Sequence, residues 1–555
     1  MLVGHPWTSV FEAPARAELA KRLTQFAYSQ RWFQSKGRAA TSWSIEDVFH
    51  LESTAGPVAL VVLCVQLSDS SRHIYALPIC YLTGDSARAL AERAPNAIVT
   101  WLTVSELGGQ APPVPGALYD GAVNTWFGEA ILSLMRRNQS FAGELGELVP
   151  QIFPPGHSTL LAEDLSPSIV GYQQSNSTIV YGQSLLTKLI RRLEQGESIE
   201  LEMAQALLDA PNRCLTPHIA SAIHYRARGK SSTLAITSDF VQNRGTAWDL
   251  VVESIEVLFE RILSEDTSKQ PPAPAAGTTL QQPCSMSPLI EHLSTPLFGY
   301  LRAIGERSAQ MHLALASRRH LPSFAPEPFT QQYKQSLYQS ASAQFVSVAD
   351  QLRQQLPELD ESTRNIASQL LLHAESVAQT LQKITSRPVD ALRIRCHGDF
   401  HLGQVLFTGD DFVIIDFDGE PSRPLPERRF KHCPLRDIAG MMRSIDYAIV
   451  TALRSRRFVQ DDVAKLLGWT PSLRESATSA FVQSYLVKLG QDSLVPKSSD
   501  DSAQLLQFYE LERCLYEVGY ELNNRPDWVE IPLLGLARLV NMECDDRSGT
   551  PRSAI

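Results

Sequence analysis

The stretch with the clearest chemistry is Arg395-Cys-His-Gly-Asp-Phe-His-Leu-Gly-Gln-Val-Leu406, followed by Phe412-Val-Ile-Ile-Asp-Phe-Asp-Gly-Glu-Pro421. It sets Asp399 two residues after His397, Gln404 five residues beyond Asp399, and Asp416 at the end of an apolar run. Phosphoryl transfer needs these parts: a carboxylate to take the proton of an attacking hydroxyl, and oxygen ligands to hold Mg²⁺ against phosphate oxygens. Asp399 is the candidate base. A side-chain amide oxygen and a second carboxylate suit a hard cation, which makes Gln404 and Asp416 the candidate metal ligands. Taken singly, His397 reads as a hydrogen-bonded core residue, Asp399 as a turn residue and Asp416 as a helix cap. Their order and spacing together carry the functional reading.

Protein kinases arrange such parts as His-Arg-Asp, an Asn five residues on, then Asp-Phe-Gly. Here the order is His-Gly-Asp, Gln404, then Asp416-Phe-Asp-Gly419, with Gln in place of Asn. Elements that grip a nucleotide should then lie upstream. Ser177–Tyr181 and Ser184–Ile190 flank Gly182-Gln183 and predict a β-hairpin. Lys188 sits in its second strand, where a lysine can reach the α and β phosphates. Glu202, on the predicted helix Ile199–Leu208, is the favoured ion-pair partner, with Glu200 the less favoured one. Ser175, Asn176, Ser177 and Thr178 precede the hairpin with hydroxyls and N–H groups that can cover phosphate. Phe240 and Val241 stand where a hinge between lobes should grip adenine through backbone groups. Competing motifs fail: Gly229-Lys-Ser231 resembles the end of a P-loop, but His224 occupies the required glycine position, and no GxGxxG, HExxH or GxSxG occurs.

The positioning elements follow from periodicity and turn chemistry. Ala15–Phe26 predicts a helix behind Pro14. Val58–Leu67 and His73–Leu82 predict a hairpin across a polar turn, and Thr233–Thr237 predicts a strand. Arg31-Trp-Phe-Gln-Ser-Lys-Gly-Arg38 reads as a loop whose aromatics anchor on a core. Ser264–Pro288, rich in Pro, Ser, Thr and Gln, reads as an exposed insertion, and so does the shorter Gln491–Ser502. Asp545–Ile555 reads as a frayed tail. Pro296–Ser317, Gln331–Leu356 and Glu361–Ile384 predict long helices. Phe508, Leu511, Leu515, Val518 and Leu522 form one apolar helical stripe that ends before Pro526. A β-containing N-terminal half and a helical C-terminal half predict an α+β chain of two lobes. A cleft between lobes is a common ligand site.

Composition bounds the rest. The chain has 555 residues, 44% hydrophobic and 20% charged, which excludes a largely disordered chain. The formal charge of −10 argues against a global grip on nucleic acid. From Pro421 to Arg436, however, five Arg or Lys face one Glu, a basic stretch that predicts a rim for an anionic nucleotide. Eight cysteines without a CxxC pair exclude a zinc ribbon and argue against a disulfide scaffold. The longest apolar run, Val58–Val65, is far short of the ~20 residues a membrane helix needs. No signal peptide is evident, and a cytoplasmic location is expected.

Several segments resemble bacterial maltokinases, which make maltose 1-phosphate from maltose and ATP. They include Gln30-Arg-Trp-Phe-Gln-Ser-Lys-Gly-Arg38, Leu185–Leu193, Phe324–Phe329, His397–Gln404, Pro434-Leu-Arg-Asp-Ile-Ala-Gly-Met441 and Leu515-Tyr-Glu-Val-Gly-Tyr-Glu-Leu-Asn-Asn-Arg-Pro-Asp-Trp528. Asp418 departs from the Glu of many relatives, and Gln195 and Glu197 also depart from the usual residues. The resemblance implies a bilobal protein-kinase-like α+β fold related to aminoglycoside phosphotransferases. It would have an N-terminal cap subdomain (1–110), an N-lobe (111–243) and a mainly helical C-lobe (244–555) carrying the 264–288 insertion. It implies ATP, Mg²⁺ and transfer to the anomeric hydroxyl of maltose, within glycogen and α-glucan metabolism fed from trehalose, with a trehalose synthase as an expected partner. Sugar recognition is expected from His401, Glu517, Tyr520, Glu521 and Arg525. The nearest alternative is a glucosamine kinase of the same fold. A regulatory pseudokinase-like binding protein is the non-enzyme alternative, disfavoured because Asp399, Asp416 and Lys188 are all present.

Overall fold

The apolar run Val58–Val65 is continuous because it forms a strand buried on both faces. Val58, Leu60 and Val62 face one core, and Ala59, Val61, Leu63 and Val65 face another. A strand covered on one side only would alternate. The computed structural model in which this is seen describes residues 1–33, 37–105, 114–154, 156–170, 177–208, 210, 214–264, 295–420, 423–490, 492 and 494–542. Contacts divide the chain into two units, Met1–Gln205 with Pro217–Gln242, and Ala206–Thr216 with Asn243–Ile555. The insertion expected after Ser264 and the expected tail lie outside the described residues.

The first unit holds two seven-stranded sheets. One contains β1 (Leu2–Gly4), β2 (Ala40–Ser53), β3 (Gly56–Leu67), β4 (Arg72–Thr83), β5 (Ile98–Ser105) and β6 (Val114–Asp120), in the order β1-β5-β6-β4-β3-β2. The other contains β7 (Phe141–Ala142), β8 (Glu147–Ile152), β9 (Pro167–Val170), β10 (Ser177–Tyr181), β11 (Leu185–Leu189), β13 (Ile219–Ala227) and β14 (Lys230–Asp239). Its order is β7-β8-β13-β14-β11-β10-β9. The two-residue strand between them in sequence, β12 (Arg192–Leu193), leaves this second sheet and pairs with β4 of the first. The predicted hairpins are β3–β4 and β10–β11. Gly229-Lys-Ser231 closes the β13–β14 hairpin, with Arg228 and Gly229 in the left-handed region, so it is a turn and not a phosphate loop.

One core joins the two sheets. Phe49, Leu60 and Tyr119 of the first pack with Ile179, Tyr181, Leu189 and Ile223 of the second, and with Phe127, Ile131 and Met135 of the helix Thr125–Arg137. The boundary expected near residue 110 is therefore not one between separate compact units. Residues 206–216, expected in the N-lobe, group with the second unit.

The second unit is mainly helical. The helix Leu435–Leu453 is buried along nearly its whole length, as a central core helix must be. Its internal charges are paired: Asp446 accepts from Arg443 (2.5 Å), Arg474 (2.6 Å) and Arg538 (2.7 Å). The helices predicted over Pro296–Ser317 and Gln331–Leu356 form as Thr295–Ser317 and Gln331–Gln355. The single helix expected over Glu361–Ile384 is instead two, Glu361–Leu372 and Ala374–Gln382. The break falls at His373, where ψ is 21° and the ring Nδ1 hydrogen-bonds the Gln369 carbonyl, ending the first helix. The apolar stripe lies on the long helix Ser499–Asn524, which Ser498 starts by accepting from the Asp501 N–H. That helix takes up the end of the expected 491–502 insertion. Among the described residues no helix is long and apolar enough to cross a membrane.

Candidate active site

The loop His397–Gln404, which carries the candidate base, is held by its backbone before any side chain acts. Asp437, buried in the Leu435–Leu453 helix, accepts from the N–H groups of His397 (2.7 Å) and Gly398 (3.0 Å). His312 Nε2 lies 3.1 Å from the same carboxylate, and His312 Nδ1 lies 3.1 Å from the Tyr485 hydroxyl. His397 Nε2 donates to the carbonyl of Ile415 (2.9 Å), which ties the loop to the strand end preceding Asp416. His397 is thus a brace. Gly398 has φ +88° and Gly440 leaves room for the Phe400 carbonyl, which a Cβ would meet at 2.8 Å. Both positions need glycine for this close approach.

Burial pushes the Asp437 carboxyl up, but the His312 hydrogen bond, the charges of His312 and His397, and the Gly398 N–H outweigh it and hold it at about 2. Its ordinary value is 3.8. A carboxylate depressed by folding stabilises the protein fully above the unfolded value, and that contribution is lost as pH falls through the folded one. Between about pH 4 and 2 the wild type should therefore lose about 2 kcal/mol from this group. Asp437→Asn should flatten that limb of a melting-temperature profile, and an unchanged acid limb would contradict the assignment.

Asp399 opens on a cavity of about 810 Å³, lined wholly by the second unit. Its lining includes all the expected sugar residues: His401, Glu517, Tyr520, Glu521 and Arg525. Gly403 N–H donates to His401 Nδ1 (3.1 Å), so the ring proton sits on Nε2, 4.0 Å from Asp399 Oδ2. Burial lowers the His401 pKa, against the raising effect of Asp399, which favours the neutral ring. Glu517 and Glu521 are buried, not solvated. Glu517 accepts from Arg443 Nε (3.0 Å). Glu521 accepts from the Tyr447 hydroxyl (3.1 Å) and pairs with Arg525 at 2.7 Å, in register i,i+4. Burial, more than Arg525 offsets, raises the Glu521 pKa. Tyr520 stands exposed, and Arg525 lies over both its ring and that of Trp528, at 5.7 and 5.3 Å.

Sequence reasoning missed Arg513. Its guanidinium reaches Asp399 Oδ1 (3.1 Å), Glu420 Oε2 (3.2 Å) and Glu517 Oε1 (3.5 Å). Glu420 also accepts from the Tyr516 hydroxyl at 2.6 Å. Its i,i+4 contact with Glu517 does not by itself mark Arg513, and its other two partners, Asp399 and Glu420, lie 114 and 93 residues away in sequence. Asp437 did carry a signal, an acid inside an apolar helix pattern.

Gln404 Nε2 contacts Asp416 Oδ2 at 3.0 Å. Asp416 has φ +63°, a strained value for a non-glycine residue. A carboxylate beside a side-chain amide fits Mg²⁺, once the amide turns its oxygen inward. In the first unit Lys188 pairs with Glu200 at 2.7 Å, the partner that the sequence ranks second to Glu202. Residues two apart on a helix diverge by about 200°, so the rotation of the helix on the strand decides between them. Thr178 stands directly opposite Lys188 in the β10–β11 register. Ser177 is corrected as a phosphate ligand, because its hydroxyl is buried on Arg191. Ser175 and Asn176 lie outside the described residues. The Phe240 N–H donates to the Ser184 carbonyl (2.8 Å), so that amide is committed to the sheet and not to adenine. Val241 follows directly, two residues before the chain passes into the second unit at Asn243. The expected basic rim is also corrected: Arg423 and Arg436 pair with Glu512, and Lys431 pairs with Glu327.

Residues 26–122 match the model of the maltokinase N-terminal cap domain. A glucosamine kinase of Streptacidiphilus jiangxiensis is 27% identical over 241 residues, 43% of this chain and 48% of that relative. One of Mycolicibacterium smegmatis is 31% identical over 168 residues, 30% of this chain and 38% of the relative. The chain thus matches less than half the length of either. A solved glucosamine kinase (crystal form B) superposes with a TM-score of 0.58 at 16% identity, covering 96% of this chain and 99% of that one. Another, solved in complex with glucosamine, ADP and inorganic phosphate, gives 0.55 at 17%, covering 95% and 99%. The chain therefore has an N-terminal cap, mixed α/β sheets and a helical C-terminal part in a kinase-like fold.

Proposed function

We propose that this protein is a sugar kinase that transfers the γ-phosphoryl group of ATP to the anomeric hydroxyl of maltose. The observation that carries the reading is Asp399, oriented by Arg513 beside His401, at a cavity whose carboxylates, guanidinium groups and aromatic rings offer the partners that sugar hydroxyls and faces require. The cap match supports the maltose assignment. Asp399 takes the hydroxyl proton as the sugar oxygen bonds to the γ-phosphorus, and the bond to the leaving ADP oxygen breaks. Gln404 and Asp416 would hold Mg²⁺, which neutralises phosphate charge when bound. Lys188, braced by Glu200, positions the nucleotide phosphates, with Thr178 across the strand pair and Val241 toward adenine. A maltose-producing enzyme such as trehalose synthase is the partner this reading implies.

A specific observation keeps a second substrate in view. Asp399, Glu420, Glu517 and Glu521 outnumber Arg513 and Arg525 around the cavity, which favours an amino sugar, as do the relatives named glucosamine kinase. Phosphorus NMR of the products, with ATP, Mg²⁺, maltose and glucosamine supplied together, separates the two. Maltose 1-phosphate as the main product supports the proposal. A glucosamine phosphate supports the second reading and overturns the first, and no phosphorylated sugar overturns both.

A further inference from the structure

Arg443 stands behind the wall of the cavity beside Asp399 and not in it. Its helix, Leu435–Leu453, lends Ser444 and Tyr447 to the cavity lining, whereas Arg443 lies outside that lining and is 2% exposed. Its Nε donates to Glu517 Oε2 at 3.0 Å, and its Nη1 donates to Asp446 Oδ2 at 2.5 Å. Asp446 also accepts from Arg474 and Arg538, so one carboxylate meets three guanidinium groups, and Glu517 supplies a second negative charge. Glu517 Oε1, at the cavity end, lies 3.5 Å from Arg513, which reaches Asp399. Opposite charges thus alternate from Asp446 through Arg443, Glu517 and Arg513 to the candidate base. The Arg443 guanidinium carbon also lies 5.8 Å from the centre of the Tyr447 ring, whose hydroxyl donates to Glu521. Room for the guanidinium comes from Gly535 on the helix Glu530–Leu539, where a Cβ would lie 2.7 Å from Arg443 Nη1 and 3.0 Å from its Cζ. A surface arginine would swing away from such a methyl. This one is buried and pinned between two carboxylates.

We infer that Arg443 is a positioning residue for sugar binding: it aims Glu517 into the cavity, and the missing side chain at Gly535 sets where its guanidinium stands. A carboxylate on a flexible stem holds a sugar hydroxyl well only when the groups behind it fix its oxygens to a fraction of an ångström. Arg443 takes Oε2 and leaves Oε1 on the side of Arg513. The planar fork places two donors on two different acids at once, which the single ammonium of a lysine does not. The inference rests on the proposal that a sugar occupies the cavity beside Asp399, and it adds what sets the affinity there.

The test is steady-state kinetics with maltose and, separately, with glucosamine, beside the KM for ATP and a melting curve on the same preparations. Arg443→Gln leaves Asp446 with Arg474 and Arg538, and Glu517 with Arg513, so neither acid is stranded. Its sugar KM should rise about tenfold, with kcat and the ATP KM changed by less than about threefold, the pattern of lost ground-state binding. Arg443→Lys, which keeps the charge but loses the fork, should raise the sugar KM about threefold. Gly535→Ala keeps every charge and brings in a better helix former, yet its methyl must displace the fork. Its sugar KM should also rise about threefold, the cost of a small misplacement. A merely structural role would lower the melting temperature and the active fraction and leave the sugar KM unmoved. If Arg443→Gln lacks a cooperative melt, Gly535→Ala decides. Wild-type sugar KM in either folded variant, while Glu517→Gln raises it, overturns the inference alone, and so does loss of a cooperative melt in both. An unchanged sugar KM in Glu517→Gln, or no sugar phosphorylated by the wild type, overturns the reading of the cavity as a sugar site and the inference with it.

Discussion

Asp399→Asn should fold like the wild type and lose about 10²–10⁴-fold in kcat, the usual cost of removing a general base. The amide keeps the size of the carboxylate and one oxygen to accept from Arg513, now 3.1 Å from Oδ1. It loses the capacity to take a proton. Sugar and ATP binding should change little, so the loss belongs in kcat and not in KM. Steady-state kinetics with a melting curve on the same preparation checks this. A variant turning over near the wild-type rate would remove Asp399 from the role of base. A large rise in sugar KM with kcat preserved would make it a binding residue.

Asp416→Ala should abolish Mg²⁺-dependent nucleotide binding, with at least a hundredfold loss in turnover, on the order of what loss of one directed electrostatic contact to a reacting group costs. The left-handed backbone at Asp416 is a strain with no structural return of its own, and such strain gathers where a side chain must be aimed. Gln404 alone is a neutral ligand and cannot replace the missing charge. The readout independent of turnover is a titration of Mg²⁺ into protein with ADP. Wild-type protein should show saturable enhancement of nucleotide affinity and the variant none. Unchanged metal titration would take Asp416 out of the ligand set. Alanine relieves little of the positive-φ strain, so a loss of binding would not trace to a relaxed backbone.

Local chemistry made much of the molecule legible. The strand pairs β3–β4 and β10–β11 and the helix Ile199–Leu208 followed from apolar period and turn residues. Asp399, Gln404 and Asp416 were legible because one short loop and one hairpin carry all three, and spacing along a few residues survives folding. Glu517, Tyr520, Glu521 and Arg525 were legible as a group because helical period stacks them on neighbouring turns. What local spacing leaves open is the choice between near equals. Glu200 against Glu202 depends on helix rotation, and the fate of Ser177 depends on which face of β10 turns toward Arg191.

The sequence by itself determined the order of the chemical groups, the elements that bear them and the absence of any membrane-length apolar run. Only the tertiary structure decided which charges meet. Arg513 reaches Asp399 across 114 residues, Asp437 cradles a loop 39 and 40 residues upstream, and Arg191 joins Ser177 to an aspartate 71 residues back. The same folding spent the basic stretch after Pro421 on Glu512 and Glu327. The reason is physical: a buried charge is stable only when its partner is brought to it, and that partner is chosen by how helices and sheets pack, which local spacing does not encode.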